Sequence, residues 1–330
     1  MRLLLTGAAG FIGYHTAQRF AARGDSVLGI DNLNDYYSVA LKHARLSRLA
    51  RLKTFDFARA SVFDKEGFAH AAAGFAPDVI LHLAAQAGVR YSMENPLAYV
   101  EANVAGQVVV FEHAAALGVP IVYASSSSVY GANSRIPFGE SDRVDAPASI
   151  YAATKRAGEL IAGVYAATHE VRCCGLRFFT VYGPFGRPDM APWLFTDAIM
   201  NGRPVSVFDG GTMERDFTHV SDIVDGIVAA VDRICDRRAE IAPVYNLGNN
   251  RPARVLDLVT AIERAAGRDA IIRMTAGPRG EARRTCADIG LAARHLNFAP
   301  RTSLDEGIAD FVAWFEAFHA VGPAALRLHA

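Results

Sequence analysis

Leu3-Leu4-Leu5-Thr6-Gly7-Ala8-Ala9-Gly10-Phe11-Ile12-Gly13 passes from an unbroken apolar run into a glycine-rich turn, then into a helical pattern that stops at Arg23-Gly24. A short apolar run without polar alternation is what a parallel strand buried on both faces requires. A second such strand, Ser26-Val27-Leu28-Gly29-Ile30, ends on Asp31-Asn32. The unit is βαβ. Glycines in its first turn let the backbone approach a pyrophosphate, which then sits on the helix N-terminus. Asp31, about 20 residues on, is placed to bind both hydroxyls of an adenosine ribose, and its charge would repel a 2′-phosphate. Strand, glycine turn, helix and acid in this order point to NAD rather than NADP.

The alternation continues outward from there. Asn34-Asp35-Tyr36-Tyr37 reads as a loop, and the Lys/Arg-rich stretch to Lys53 as an exposed helix. Thr54 to Phe57 reads as a third strand, and Asp78 to Ala85 as a fourth that runs into small residues, where a cofactor can come close. His82, inside that apolar run, reads as a satisfied core histidine rather than a catalyst. Asn95-Pro96 predicts an N-cap and first helical position for a helix that runs to Leu117 and ends at Gly118. Asn103 is polar in that mostly apolar helix, so it makes either a packed hydrogen bond or a functional contact. Val119 to Ala124 is the next strand and delivers Ser125-Ser126-Ser127-Ser128 at its carboxyl end. Val171 to Arg177 is another buried strand. Glycine and proline then thicken from Gly183 to Pro192, which marks a domain transition. Beyond it come a short strand Val205 to Phe208, a helix capped by Ser221-Asp222 that runs to about Cys235, and a strand Val244 to Gly248. The remainder alternates helix and strand. The expected fold is α/β: a doubly wound parallel sheet over residues 1–177, to which 219–247 returns, with a smaller C-terminal α/β substrate domain over 178–330.

Composition narrows the function. Of 330 residues, 51% are hydrophobic, enough for one large domain or two fused ones, and 34 basic residues balance 34 acidic ones. Zero net charge gives no electrostatic case for nucleic acid or an anionic membrane. Cys173, Cys174, Cys235 and Cys286 form no Cys-x-x-Cys pair and read as buried, reduced thiols in a cytoplasmic protein, not as a disulfide frame or metal site. The sequence starts directly on a strand, without a basic-then-apolar leader, and has no apolar run long enough to span a bilayer.

Chemistry enters with Ser149-Ile150-Tyr151-Ala152-Ala153-Thr154-Lys155, at the start of a helix. Tyr151 and Lys155 are four apart and so lie on one face. A free phenol has a pKa near ~10, and an ammonium group beside it favours the phenolate. The pair is then an acid/base able to deprotonate an alcohol, with the hydroxyls at the end of the serine strand placed to bond the same alcohol.

Together these features resemble the extended short-chain dehydrogenase/reductase superfamily, whose nucleotide-binding half is a Rossmann fold. Within it the chain looks most like the nucleotide-sugar epimerases, those acting on UDP-glucuronate. The matching strings are Asp31 to Tyr37, His82 to Ser92, Tyr123 to Gly131 and Leu176 to Ala191. The resemblance implies an isomerase in which NAD, tightly bound and regenerated each turnover, serves 4-epimerisation of UDP-glucuronate through a transient 4-keto sugar. Gly7, Gly10, Phe11, Ile12 and Gly13 match the pyrophosphate turn, Asp31 and Asn32 the adenosine ribose, and Leu83, Ala84 and Ala85 the strand end beside the cofactor. Asn103 and Lys155 match residues near the nicotinamide, and Ser126 and Tyr151 the hydroxyl pair on the sugar 4-OH. Thr180 and Arg187, with Ser127 and Ser128 nearby, match the sugar-carboxylate site. Arg215 matches the arginine on the phosphates, Ser206 to Phe208 the strand whose backbone reads uracil, and Glu281 a ribose-binding acid. The family commonly has an aspartate by the adenine where this chain has Ala60-Ser61-Val62. Relatives dimerise through two helices, here about Pro96-Leu117 and Tyr151-Ala167, so a homodimer is expected. The rival readings are a UDP-glucuronate decarboxylase, a neutral UDP-hexose 4-epimerase and, in another class, a non-catalytic NAD-binding regulator.

Overall fold

Leu3 and Leu5 pack on one face of the first strand and Leu4 on the other, and all three are fully buried. A strand apolar on both sides must lie inside a sheet covered twice. The computed structural model, which describes residues 1–131, 135–236, 242–276 and 283–320, shows that arrangement. Along the chain, β1 (Arg2–Thr6), α1 (Phe11–Ala22), β2 (Ser26–Asp31), α2 (Val39–Leu49), β3 (Phe55–Arg59), α3 (Lys65–Ala72) and β4 (Val79–His82) alternate. Then come α4 (Tyr91–Glu94), α5 (Pro96–Val100), α6 (Gly106–Leu117), β5 (Ile121–Ser126), α7 (Ile150–His169) and β6 (Cys173–Phe178). The later part adds β7 (Thr180–Tyr182), α8 (Ala191–Met200), β8 (Val205–Phe208), β9 (Glu214–Arg215), β10 (Phe217–His219), α9 (Val220–Cys235) and β11 (Val244–Leu247). It closes with β12 (Ala253–Arg254), α10 (Val255–Ala266), β13 (Ile272–Thr275), α11 (Gly290–Leu296) and α12 (Leu304–Ala320).

Seven parallel strands form the central sheet in the order β11-β6-β5-β4-β1-β2-β3. The winding reverses between β1 and β4. In such sheets the crevice at that reversal, outside the strands' carboxyl ends, is where ligands bind. One core cluster joins α1, α2, α9 and α11 to one face, and a second joins α3, α6 and α7 to the other. A third, around Val205, Val207, Leu258, Ile262 and Phe311, belongs to the later elements.

Several elements differ from the sequence reading. The basic helix α2 is not simply exposed, because Leu41, Lys42, Ala44, Arg45 and Leu49 are buried. The helix expected over 96–117 is broken by one π-helical turn at Glu101–Ala105, and Asn95 stands at its N-cap without a capping side-chain bond. The cap of α9 is His219, whose side chain accepts from the Ser221 N–H, while Asp222 turns away to accept from the Arg301 and Thr302 N–H groups. Cys173, Cys174 and Cys286 are buried thiols, whereas Cys235 is only half-buried.

Candidate active site

The turn after β1 is shaped by what cannot fit there. Gly7 has φ +75°, and a Cβ on it would come within 2.7 Å of the Ala84 nitrogen. A Cβ on Gly13 would overlap the Gly7 carbonyl oxygen. These glycines keep the turn, α1 and the end of β4 in close approach. No side chain caps α1 at Gly10, so the first-turn N–H groups near Phe11 and Ile12 are left to an anion. Asp31 accepts from the Ala9 N–H (3.1 Å) and the Leu33 N–H (2.8 Å), which fixes its carboxylate beside the turn with lone pairs to spare. Asn32 reaches Ser61 at 3.4 Å. Leu83 and Ala84 are held by the Thr6 backbone and hydroxyl at 3.2 Å each, with Ala85 following. A glycine cradle, an open helix N-terminus and a fixed acid at the end of β2 fit NAD.

His82 is buried, pairs through Nδ1 with the Thr6 hydroxyl (2.8 Å), and is driven by burial, with Lys155 adding to it, to a pKa of about 3. It is a neutral core histidine. Asn103 sits in the π turn and is buried. It donates to the Gln86 carbonyl and the Thr154 hydroxyl (3.0 Å each) and accepts from the Gln86 N–H (2.8 Å). Of its two readings the structure displays the packed bond: Asn103 ties the loop after β4 to α7. The bulge is what aims it inward.

Ser149 caps α7 by accepting from the Ala152 N–H (3.1 Å), and this fixes where Tyr151 and Lys155 emerge. Lys155 is buried and donates to the Ala124 carbonyl (3.1 Å); burial lowers its pKa to about 8. Burial raises the Tyr151 phenol above 10.0, and the Ser126 hydroxyl and the Arg187 guanidinium pull it back. Ser126 itself donates to the Ser128 hydroxyl and accepts from the Ser128 N–H (3.2 Å each), and Ser127 and Ser128 begin a 3-10 turn there.

Arg187 lies in the loop between β7 and α8. Its Nε and Nη2 donate to the two Asp189 oxygens at 3.0 and 2.5 Å, and its guanidinium stands 5.8 Å from the Tyr36 ring. Thr180 starts β7, with its N–H on the Asp216 carbonyl (3.1 Å). Ser126, Ser128, Tyr151 and Arg187 therefore converge at one end of the sheet. Of the other expected substrate residues, Ser206, Phe208 and Arg215 lie on β8 and β9. Ser206 is exposed on β8, Phe208 packs under the Arg90 guanidinium (5.1 Å), and Arg215 donates to the Glu214 carbonyl (3.0 Å). Glu281 lies outside the described residues. Among the described residues no cluster of His, Cys, Asp or Glu could hold a metal ion, and no helix is long and apolar enough to cross a membrane.

Sequence reasoning missed three supports of this site. Arg45, fully buried on α2, donates to the Ala9 carbonyl and the Tyr37 hydroxyl (2.7 Å each) and to the Phe185 carbonyl (2.6 Å). It joins the glycine turn to the loop that carries Arg187. Its place four residues from both Leu41 and Leu49, on the apolar stripe, was the available signal. Beneath the serine strand, Glu159 accepts from Ser125 (2.7 Å), from Arg156 (2.9 Å) and from Arg177 at 2.7 and 2.9 Å. The third is Asp189, with Tyr36 donating to it at 3.0 Å.

Comparison with known proteins gives a consistent picture. The model of the NAD dependent epimerase/dehydratase family matches residues 3–248. A probable UDP-glucuronate 4-epimerase of Rhizobium meliloti (strain 1021) is 44% identical over 96% of this chain and 97% of its own. UDP-glucuronate 4-epimerase 3 of Arabidopsis thaliana is 45% identical over 98% of this chain and 78% of its own. The crystal structure of UDP-glucuronic acid 4-epimerase from Bacillus cereus, in complex with UDP-glucuronic acid and NAD, superposes with a TM-score of 0.88 at 31% identity, over 97% of this chain and all of that one.

Proposed function

The chain belongs to the NAD-dependent epimerase/dehydratase family, and on that premise we propose that it is an isomerase that converts UDP-glucuronate to UDP-galacturonate by 4-epimerisation through a transient 4-keto sugar. One observation supports this reading: the Arg187 guanidinium stands close enough to Tyr151 to act on its phenol, which suits an anchor for a sugar carboxylate. In a hexuronate the 4-OH and the carboxylate are on neighbouring carbons, so the acid/base and the carboxylate anchor must be neighbours too. A planar guanidinium is the better anchor because it pairs with a carboxylate through two parallel bonds.

Tyr151 takes the proton of the sugar 4-OH, with Ser126 as its hydrogen-bond partner. NAD, when bound, supplies a reversible acceptor for the hydrogen at C4 and is regenerated each turnover, so it stays with the protein. Inversion requires the keto sugar to turn over in the pocket while the UDP end remains held, and the family resemblance gives Arg215 to the phosphates and Ser206 to Phe208 to the uracil. A 4-keto uronate is a β-keto acid and loses CO2 readily. Arg187 and Thr180, with Ser127 and Ser128, hold its carboxylate against that loss. The same reading gives residues 1–177 with 219–247 to the cofactor and 178–330 to the UDP-sugar. It also makes the protein a cytoplasmic homodimer, a state supported by the exposed Leu97, Val100, Leu160 and Val164.

The test is proton NMR of purified protein with UDP-glucuronate and no added NAD. UDP-galacturonate without released CO2 is the expected product. A UDP-pentose with CO2 would make the protein a decarboxylase. Turnover of UDP-glucose alone would make it a neutral-hexose epimerase, and no turnover of either with NAD supplied would make it a non-catalytic binder.

A further inference from the structure

Arg187 is already held before any sugar arrives. Asp189 takes the side of the guanidinium formed by Nε and Nη2. A guanidinium has five N–H donors in a planar fork, so this side-on pair leaves the end formed by Nη1 and the second Nη2 hydrogen to another acceptor. Asp189 is itself fixed. Tyr36 donates to its Oδ2 at 3.0 Å, and Tyr36 is wedged against Tyr91 (ring centroids 4.9 Å apart) and over Gly88. A Cβ on Gly88, which has φ +110°, would collide with the Tyr36 hydroxyl, so glycine is what admits Tyr36 there. The side chains of Arg187 and Asp189 are 19% and 33% exposed, so the pair is partly open to solvent.

We propose that Asp189, braced by Tyr36, is a positioning residue for uronate specificity: it locks Arg187 by one edge so that the other edge meets the sugar carboxylate. The proposal rests on Arg187 being the carboxylate anchor. An arginine swinging free would lose rotamer freedom on each binding event, and Asp189 removes that loss in advance. Asp189 also leaves Arg187 partly neutralised, so the carboxylate is gripped firmly enough to be oriented and still released as the keto sugar turns.

Wild-type turnover of UDP-glucuronate is measured first, since its absence overturns the function and this proposal together. Asp189→Ala and Asp189→Asn are then compared with wild type for KM, for UDP affinity and for retained NAD, and each is repeated in an Arg187→Ala background. Asp189→Ala is expected to raise KM for UDP-glucuronate about tenfold and leave UDP affinity within about twofold, while changing almost nothing once Arg187 is gone. Tyr36→Phe, which keeps the ring and loses one hydrogen bond, is expected to raise KM about threefold. Active wild type with an unchanged or lower KM for Asp189→Ala would overturn the proposal alone. So would an equal loss in both backgrounds, which would mean a role that does not pass through Arg187.

Discussion

Tyr151 has to give up its proton to act as a base, and its surroundings work against the phenolate. Burial raises its phenol, and Ser126 and Arg187 only partly offset that. Tyr151→Phe removes the proton-carrying oxygen and little else, so kcat is expected to fall about 10²–10⁴-fold while UDP-sugar affinity measured by calorimetry stays near wild type. Equal losses in both would place Tyr151 in binding instead of catalysis. At this scale the sequence was readable wherever partners are near in the chain. Tyr151 and Lys155 share a face by spacing alone, and Gly7, Gly13 and Asp31 sit in one βαβ unit. What spacing could not reveal was direction. Lys155 lies on the expected face and still points its ammonium at Ala124. Arg45 was unreadable for the opposite reason, because its acceptor Phe185 is 140 positions away.

Helix α7 has to be held at a fixed height above the sheet for Tyr151 to meet Ser126, and the Glu159–Arg177 pair fastens it to β6. Both side chains are almost fully buried, at 2% and 4% exposed. Removing one partner of such a pair leaves the other charge uncompensated, which typically costs about 3–5 kcal/mol. Burial alone would raise the Glu159 carboxyl, but the bonds from Arg177 and Ser125 hold it below 4.5 in the folded protein. A depressed folded pKa gives stability that is complete above the unfolded value and is lost as pH falls through the folded one. Glu159→Gln is therefore expected to melt well below wild type at neutral pH, with the gap narrowing below 4.5. A gap that does not change with pH would mean that packing, not charge, carries the difference. Element positions were legible here because apolar runs and caps are local, as in Leu3 to Thr6 and Ser149. The π turn at Glu101–Ala105 was not, because it answers to Gln86 and Thr154 in other parts of the chain. The cap of α9 fell to His219 and not Ser221 for a similar reason: Asp222 is drawn to the Arg301 and Thr302 N–H groups, far along the chain.

For the molecule as a whole, the reversal of winding between β1 and β4 brings the glycine turn, Tyr151 with Ser126, and Arg187 to one end of one sheet, although residues 7 and 187 are far apart in sequence. The parallel sheet follows from the alternation of apolar runs and helices, whereas the loop from Gly183 to Met190 reaches the site through tertiary packing on α1, α2 and α12. The outer face of α7 makes a separate statement. Leu160 and Val164 are each 57% exposed and four residues apart, so they form one stripe, and Leu97 (71%) and Val100 (44%) are exposed on α5, which packs beside it. Large aliphatic side chains in register on neighbouring helices are the kind of patch that a partner covers. A second copy using the same helices would build a self-complementary, two-fold interface. Leu160→Lys with Val164→Lys puts two charges on each side of that seam without touching the face that carries Tyr151 and Lys155. Light scattering during gel filtration is expected to give a dimer for wild type and a monomer for the double variant. The monomer should also melt earlier, because it has lost the stabilisation that association supplies by mass action. A wild-type monomer, or a double variant that stays dimeric, would place the contact elsewhere and leave these four side chains as ordinary surface.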